Sequence, residues 1–118
     1  MKYQIRKPFL KSLWAVGVIT IVALSVLPSD QIPDVGDISD KIKHFAAYAG
    51  VGFLGMIAAS SNKHRIWLVI AMIAFGLVME GVQYFLPTRQ FELLDGVANT
   101  LGVLSALGAY YVYNRLRK

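Results

Sequence analysis

Four long apolar stretches, separated by short polar segments, are the feature that most limits how this chain can fold. They lie at about residues 10–27, 42–61, 66–86 and 95–114. An α-helix rises about 1.5 Å per residue, so roughly 20 apolar residues cross the hydrocarbon core of a bilayer. The stretches are too long for strands and lack alternation of polar and apolar residues, which favours helices. The sequence therefore predicts one all-α domain, residues 1–118, folded as an integral membrane four-helix bundle.

The composition agrees with a protein that is surrounded by lipid. Hydrophobic residues make up 56% of the chain and charged residues only 16%, whereas a typical soluble domain is about 25% charged. The net charge of +5 does not indicate nucleic-acid binding, because the basic residues cluster at the ends of the apolar stretches. The chain has no cysteine, which excludes disulfide bonds and thiolate metal ligands.

A cleaved signal peptide is the alternative interpretation of the first apolar stretch. Lys2, Arg6 and Lys7 precede this stretch, as basic residues precede the apolar segment of a signal peptide. The residues around Ser25 and Ser29 match the small-residue cleavage pattern poorly. We therefore expect the stretch to remain as the first membrane helix.

The charged residues predict the orientation of the helices. If the N-terminus is cytoplasmic, nine basic residues and no acidic residue lie on the inner side, and all seven acidic residues lie on the outer side with three basic ones. The positive-inside rule then holds at every loop, so both the N-terminus and the C-terminus are predicted to be cytoplasmic. The inner basic residues are Lys2, Arg6, Lys7, Lys11, Lys63, Arg65, Arg115, Arg117 and Lys118.

Polar residues recur in the predicted helices at spacings of three or four, which places those of each helix on a common face. All of them fall in the outer half of the membrane if the predicted orientation holds. The helices can therefore bring them into one pocket that opens outward. The members are Lys41, His44 and Tyr48 on the second helix, Glu80 and Gln83 on the third, Asp95 and Asn99 on the fourth, and Arg89 in the loop between the last two helices.

Glu80 is the most informative member of this pocket. It lies seven residues before Pro87, which corresponds to about 10 Å of helix below the outer end. A carboxylate at that depth costs roughly 2.5 to 3.5 kcal/mol on insertion scales, and such residues mark functional sites by default.

Two segments of the chain resemble the signature segments of the VanZ-like membrane protein family. The first is DKIKHFAAY, residues 40–48, and the second is EGVQYFLPTRQFELLDGVANTLG, residues 80–102. The pattern E-x-x-Q-x-F-x-P-x-R followed by D-x-x-A-N-x-x-G is specific, and the order, spacing and four-helix layout agree over nearly the whole chain.

The resemblance implies a role in the cell envelope, in the inner membrane of a bacterium, but it supplies no reaction. The family includes the accessory protein that gives low-level resistance to the glycopeptide antibiotic teicoplanin. We expect the pocket to bind or modify an envelope lipid or a lipid-linked wall intermediate, from the extracytoplasmic side of the membrane. Whether the protein is an enzyme stays open.

Within the pocket, His44, Glu80 and Asp95 are the catalytic candidates, because burial and a neighbouring carboxylate tune an imidazole for acid–base catalysis. An arginine and a lysine at the mouth of the pocket would hold a phosphate, the arginine by a bidentate fork and the lysine as a point charge. The predicted substrate-binding residues are Lys41, Tyr48, Gln83, Arg89 and Asn99.

The same residues also have purely structural interpretations. Glu80 can be an ion-pair partner of Lys41 or Arg89, or a neutral acid hydrogen-bonded to Gln83. His44 can be a buried imidazole that bonds to Asp40 or Asp95 and holds two helices together. The protein would then be a non-enzymatic scaffold that acts as a homo-oligomer or through an envelope protein partner, with a polar cluster that only joins the helices.

Two further alternatives are less favoured. A transporter needs polar groups in the inner half of the membrane, where the predicted helices carry none. One histidine and two carboxylates, His44, Glu80 and Asp95, can bind a divalent cation. Their spacing matches no recognised ligand motif, so we predict no metal and no other cofactor.

Overall fold

The computed structural model describes residues 2–27, 40–87 and 92–117, with side chains from residue 7 onward. Within these ranges the chain is all-helical, with four helices and no strand, which confirms the all-α part of the prediction. The helices are α1 (Lys2–Val26), α2 (Asp40–Ala58), α3 (Asn62–Tyr84) and α4 (Leu93–Arg117).

The helices do not end where the apolar stretches end. α1 and α4 continue into segments that contain lysine and arginine, which are good helix formers. α2 stops at Ala58, before the predicted residue 61, and α3 begins at Asn62 instead of 66. The reason is a cap: the Ser61 hydroxyl accepts a hydrogen bond of 3.2 Å from the backbone N–H of His64, which is how serine starts a helix.

The helices alternate in direction and give the bundle two chemically different ends. At one end, called the acidic end below, α1 and α3 finish and α2 and α4 begin. At the opposite, basic end, α1 and α3 begin and α2 and α4 finish. The acidic end carries Asp40, Glu80, Glu92 and Asp95, and the basic end carries Lys7, Lys11, Lys63, Arg65, Arg115 and Arg117.

α2 and α4 form the most extensive helix pair, and small residues allow their close approach. A Cβ atom on Gly102 would lie 2.5 Å from the backbone oxygen of Phe45, and a Cβ atom on Gly52 would lie 3.0 Å from the Cβ atom of Ala106. The backbones therefore touch where glycine leaves room, as in other tightly packed membrane helices.

α1 and α3 pack on either side of this pair. α1 lies mainly against α2, where Gly17 contacts Val51 and Gly55 contacts the Trp14 ring. α3 contacts α4, α2 and α1. The packed core between the helices contains Ile21, Tyr48, Met56, Val69, Met72, Val103 and Tyr110.

Three helices are long and apolar enough to cross a membrane: α1 from Lys7 to Val26, α3 and α4. α2 does not reach the same hydropathy, because Asp40, Lys41, Lys43 and His44 occupy its first turns. Large apolar side chains such as Ile19 and Leu77 point away from the core, as a lipid-facing surface requires. A fourth spanning helix therefore stays a prediction.

Candidate functional site

His44 lies at the centre of the acidic end and joins α2 to two other helices. Its Nδ1 lies 2.9 Å from Oδ1 of Asn99 on α4 and 3.9 Å from Oε1 of Glu80 on α3. Its Nε2 lies 3.5 Å from a carboxylate oxygen of Asp95 and 3.7 Å from one of Asp40. The imidazole is therefore surrounded by acceptors on both edges.

Spacing along the chain explains why these side chains meet. Asp40 and His44 are one helical turn apart on α2, and Asp95 and Asn99 are one turn apart on α4. α2 and α4 begin at the same end of the bundle, so their first turns face each other. Glu80 comes from the last turns of α3, against Gly96 at the start of α4.

Lys41 makes an ion pair with Glu92 and a second one of 2.7 Å with Asp95. Hydrogen bonds to Asp95 and Glu92 raise the pKa of Lys41 above its ordinary value, so the ammonium stays charged. Lys41, the lysine predicted to bind a phosphate at the pocket mouth, is thus paired with two carboxylates. A substrate phosphate that binds Lys41 would have to replace one of these carboxylates. Its role in substrate binding stays a prediction.

Gln83 takes a different position from the rest of the cluster. Its amide Nε2 donates a 3.2 Å hydrogen bond to the backbone oxygen of Ser25 at the end of α1. The side chain is buried. Gln83 therefore ties α3 to α1, and no hydrogen bond joins it to Glu80 within the described chain.

Several buried polar atoms of the site have no hydrogen-bond partner among the described residues: Oε2 of Glu80, the hydroxyl of Tyr48 and Nδ2 of Asn99. All three residues are at most 3% exposed. An unsatisfied buried polar atom costs about 1 to 3 kcal/mol, and its presence in a folded protein calls for an explanation. A bound ligand or ordered water that supplies the missing partners is such an explanation.

A groove opens beside His44 between α1, α2 and the end of α3. It has a volume of about 140 Å³, and its polar lining includes His44, Tyr48 and Gln83, with Asp40 and Lys43 at the edge. Its apolar lining comes from Ile21, Leu24 and Ala47. Among the three catalytic candidates, His44 lines this groove. Glu80 and Asp95 do not line it, and both contact the histidine ring.

The arrangement favours a proton network over a metal site. Asp40, His44 and Asp95 offer ligand atoms within 4.8 Å of one another. Ligands lie about 2.0 to 2.6 Å from Zn²⁺ or Ca²⁺, and Lys41 already holds an oxygen of Asp95 at 2.7 Å. A cation held by these three residues would share the Asp95 carboxylate with that ammonium, and the two positive charges would repel each other.

The sequence did not predict the ion pair of Glu92 or the burial of Arg65, and it predicted a role for Arg89 that the structure does not test. Glu92 looks like a solvated loop charge in the sequence but forms an ion pair with Lys41; its position three residues before Asp95 is the signal that was available. Arg65 looks like an exposed loop residue but is only 8% exposed. Arg89 lies outside the described residues.

Comparison with known proteins agrees with the resemblance seen in the sequence. The profile of the VanZ/LLP1 family matches residues 4–114. An uncharacterized protein of Schizosaccharomyces pombe is 29% identical over 120 residues, which cover 99% of this chain and 71% of that protein. No solved structure matches significantly.

Proposed function

The chain belongs to the VanZ/LLP1 family, and on that premise we propose that its acidic end binds, and has the groups to modify, the head group of an envelope lipid or lipid-linked wall intermediate. The protein is a multi-pass membrane protein with apolar helices. In the proposed topology α2 also crosses the membrane, both termini are cytoplasmic, and the acidic end faces outward.

The observation that carries this proposal is the position of His44. Its ring is fixed by Asn99 between buried carboxylates, and its edge lines a groove with an apolar wall. A general base needs this combination of a fixed ring, an acidic neighbour and access to a substrate proton. A groove with apolar and polar parts suits the boundary between a lipid chain and its head group.

The charges of the site limit the kind of head group. Three carboxylates, those of Asp40, Glu80 and Asp95, surround the ring of His44, and Lys41 is the ammonium paired with one of them. Carboxylates accept hydrogen bonds from hydroxyl or amino groups and repel a bare phosphate. The groups next to His44 therefore favour a hydroxyl or an amine of the head group, while Lys43 at the groove edge and the predicted Arg89 would face its phosphate.

If a reaction occurs, His44 would remove a proton from a head-group hydroxyl or from water through Nε2. Asp95 lies 3.5 Å from that atom and would stabilise the imidazolium that forms. Tyr48 and Ser25 bring hydroxyl groups to the groove lining, and the Tyr48 ring lies close to Gly76 of α3. The step that these groups support is removal of a proton from a hydroxyl or from water, which leaves the proton on His44.

A scaffold is the second candidate, and specific contacts favour it. The pairs His44–Asn99 and Lys41–Asp95 join α2 to α4, and Gln83 joins α3 to the Ser25 carbonyl of α1. Polar contacts between membrane helices are worth about 0.6 to 2 kcal/mol each, so the cluster can hold the bundle together. A scaffold does not need the groove beside these contacts.

Native mass spectrometry in mild detergent tests the proposal. The wild type should retain a discrete lipid adduct, and His44→Gln should lose it while keeping a cooperative thermal transition. Ser105→Ala, on an exposed position of α4, is the matched control and should keep the adduct. If the wild type carries only bulk lipid, indistinguishable from His44→Gln, the site is structural and the scaffold is favoured.

A further inference from the structure

A second cavity lies at the basic end, far from the groove at His44. Its volume is about 290 Å³, and it lies between the start of α1, the end of α2, the start of α3 and the end of α4. Three cations, Lys7, Arg65 and Arg117, and two aromatic rings, Tyr110 and Tyr113, form its polar lining. No acidic residue of the described chain lines it.

Arg65 is buried in this cavity without an anionic partner in the described chain. Its guanidinium donates to the backbone oxygens of Met56 and Ala59, at 2.9 Å each, and to Oδ1 of Asn62 at 3.0 Å. It also stacks over the Tyr110 ring at 4.1 Å. These acceptors are all neutral. A buried charge is costly unless a counter-charge is close. Two of the five N–H groups of an arginine have no acceptor among the described residues.

Lys7 reaches the same helix end from α1. Its ammonium donates to the backbone oxygens of Ile57 at 2.6 Å and Ala59 at 2.8 Å, which leaves one of its three hydrogens. The Ala59 oxygen therefore accepts from both Lys7 and Arg65. Two like charges that share one acceptor repel each other, and an anion between them would remove that repulsion.

The end of α2 does not supply the missing negative charge. The carbonyl groups at a helix C-terminus amount to about half an elementary charge, whereas Lys7 and Arg65 carry two. One lysine would satisfy these carbonyls. Helix capping alone therefore does not explain the second buried cation, nor the open cavity beside it.

We infer that this cavity binds a phosphate group. Arginine holds phosphate through paired N–H donors and lysine through a point charge, and both have donors left. Arg117, which stacks on Tyr113 at 5.5 Å, adds positive charge from α4. Basic pockets between membrane helices typically bind anionic lipid head groups. The phosphate belongs either to a phospholipid in the adjacent leaflet or to a free phosphate ion. This site is independent of the function proposed for the acidic end.

The test uses delipidated protein in a non-ionic detergent and two probes, a dispersed short-chain phosphatidylglycerol and inorganic phosphate. Binding is measured by native mass spectrometry and by isothermal titration calorimetry. We expect Arg117→Gln and Lys7→Gln to weaken binding about tenfold, the loss of one charge-assisted hydrogen bond. Arg115→Gln removes a neighbouring exposed charge that does not line the cavity and should bind like the wild type.

The two probes separate the sources of the phosphate. Binding of phosphatidylglycerol alone assigns the cavity to a lipid head group, and binding of inorganic phosphate at similar strength assigns it to a free ion. Absence of binding by either probe to the wild type overturns the inference. An equal loss in Arg115→Gln and Arg117→Gln also overturns it, because the effect would then reflect only the surface charge of this end. Arg117 is exposed, so its replacement leaves the fold intact even if Lys7→Gln does not.

Discussion

Nδ1 of His44 and Oδ1 of Asn99 lie 2.9 Å apart and join α2 to α4 within the acidic end. An amide oxygen only accepts hydrogen bonds, so a hydrogen bond at this contact requires a hydrogen on Nδ1. The other ring nitrogen, Nε2, is then the atom that faces Asp95 and Asp40. Asn99 on one edge and the two carboxylates on the other therefore compete for the hydrogen of a neutral His44 ring, because all three accept hydrogen bonds.

We predict that neutral His44 is the Nδ1–H tautomer and that Asn99→Ala removes this preference. The replacement should also destabilise the protein by about 1 to 3 kcal/mol, because a partly buried donor loses its acceptor. Long-range ¹H–¹⁵N NMR spectra of the ring nitrogens report the tautomer, and His64, whose Nδ1 lies 2.7 Å from the Ser61 hydroxyl, serves as the internal control. An unchanged His44 spectrum in Asn99→Ala would show that the contact does not set the tautomer.

Part of this arrangement could be predicted from spacing alone. Residues four apart on α2 and on α4 were expected on common faces, and His44, Asp95 and Asn99 do lie together. Glu92 and Arg65 could not be placed in this way. Hydropathy does not distinguish a solvated charged side chain at a helix end from one that forms an ion pair or hydrogen bonds with a neighbouring helix. The bonds of Arg65 to Met56 and Ala59 depend on the short connection between α2 and α3, whose geometry the pattern does not contain.

Lys41→Gln should destabilise the protein more than Lys43→Gln, because only the first change leaves the buried carboxylate of Asp95 without its ammonium. The double variant Lys41→Gln/Asp95→Asn should recover part of the loss, since it removes the uncompensated charge. Thermal unfolding in detergent gives the comparison. Equal effects of Lys41→Gln and Lys43→Gln would mean that the ion pair contributes nothing measurable.

The same ion pair predicts a pH dependence. The pKa of Lys41 is raised above its ordinary value of 10.5 by hydrogen bonds to Asp95 and Glu92. A group whose pKa is higher in the folded protein than in the unfolded chain stabilises the fold. For Lys41 this stabilisation is complete below pH 10.5 and is lost only as the pH rises through the pKa of the folded state. The difference in stability between wild type and Lys41→Gln should therefore stay constant from about pH 7 to 9 and shrink only in stronger alkali. A difference that falls between pH 7 and 9 would contradict the assignment.

Gly102→Ala should weaken the contact between α2 and α4. A Cβ atom there would lie 2.5 Å from the backbone oxygen of Phe45 and 3.0 Å from the backbone nitrogen of Ala49. Backbone atoms cannot turn aside as side chains do, so the helices must separate, at a cost of about 1 to 3 kcal/mol. Gly108→Ala is the matched control on the same helix. Its Cβ meets nothing within 4 Å, so the higher helix propensity of alanine should stabilise it by up to about 1 kcal/mol.

Opposite signs for the two glycine variants in a thermal or denaturant titration would support this packing. If both variants are stabilised, α2 and α4 are farther apart than the structure places them.

The Glu80→Gln variant tests whether the acidic end needs the charge of Glu80 to bind its ligand or whether Glu80 only joins helices. Glutamine keeps the shape and hydrogen-bonding capacity of Glu80 but removes a carboxylate that is 3% exposed and close to Asp95 and His44. A scaffold should tolerate the change and become more stable, because burying a neutral amide costs less than burying a carboxylate. A binding or acid–base site should become more stable and yet lose its lipid adduct.

Glu92→Gln is the matched control, because Glu92 is exposed and pairs with Lys41 without contacting His44. It should lower stability slightly and keep the adduct. Thermal unfolding and native mass spectra of the same samples therefore separate the two functions. Loss of the adduct in Glu80→Gln alone assigns the buried carboxylate to the ligand, whereas its retention in both variants leaves Glu80 a structural residue and favours the scaffold.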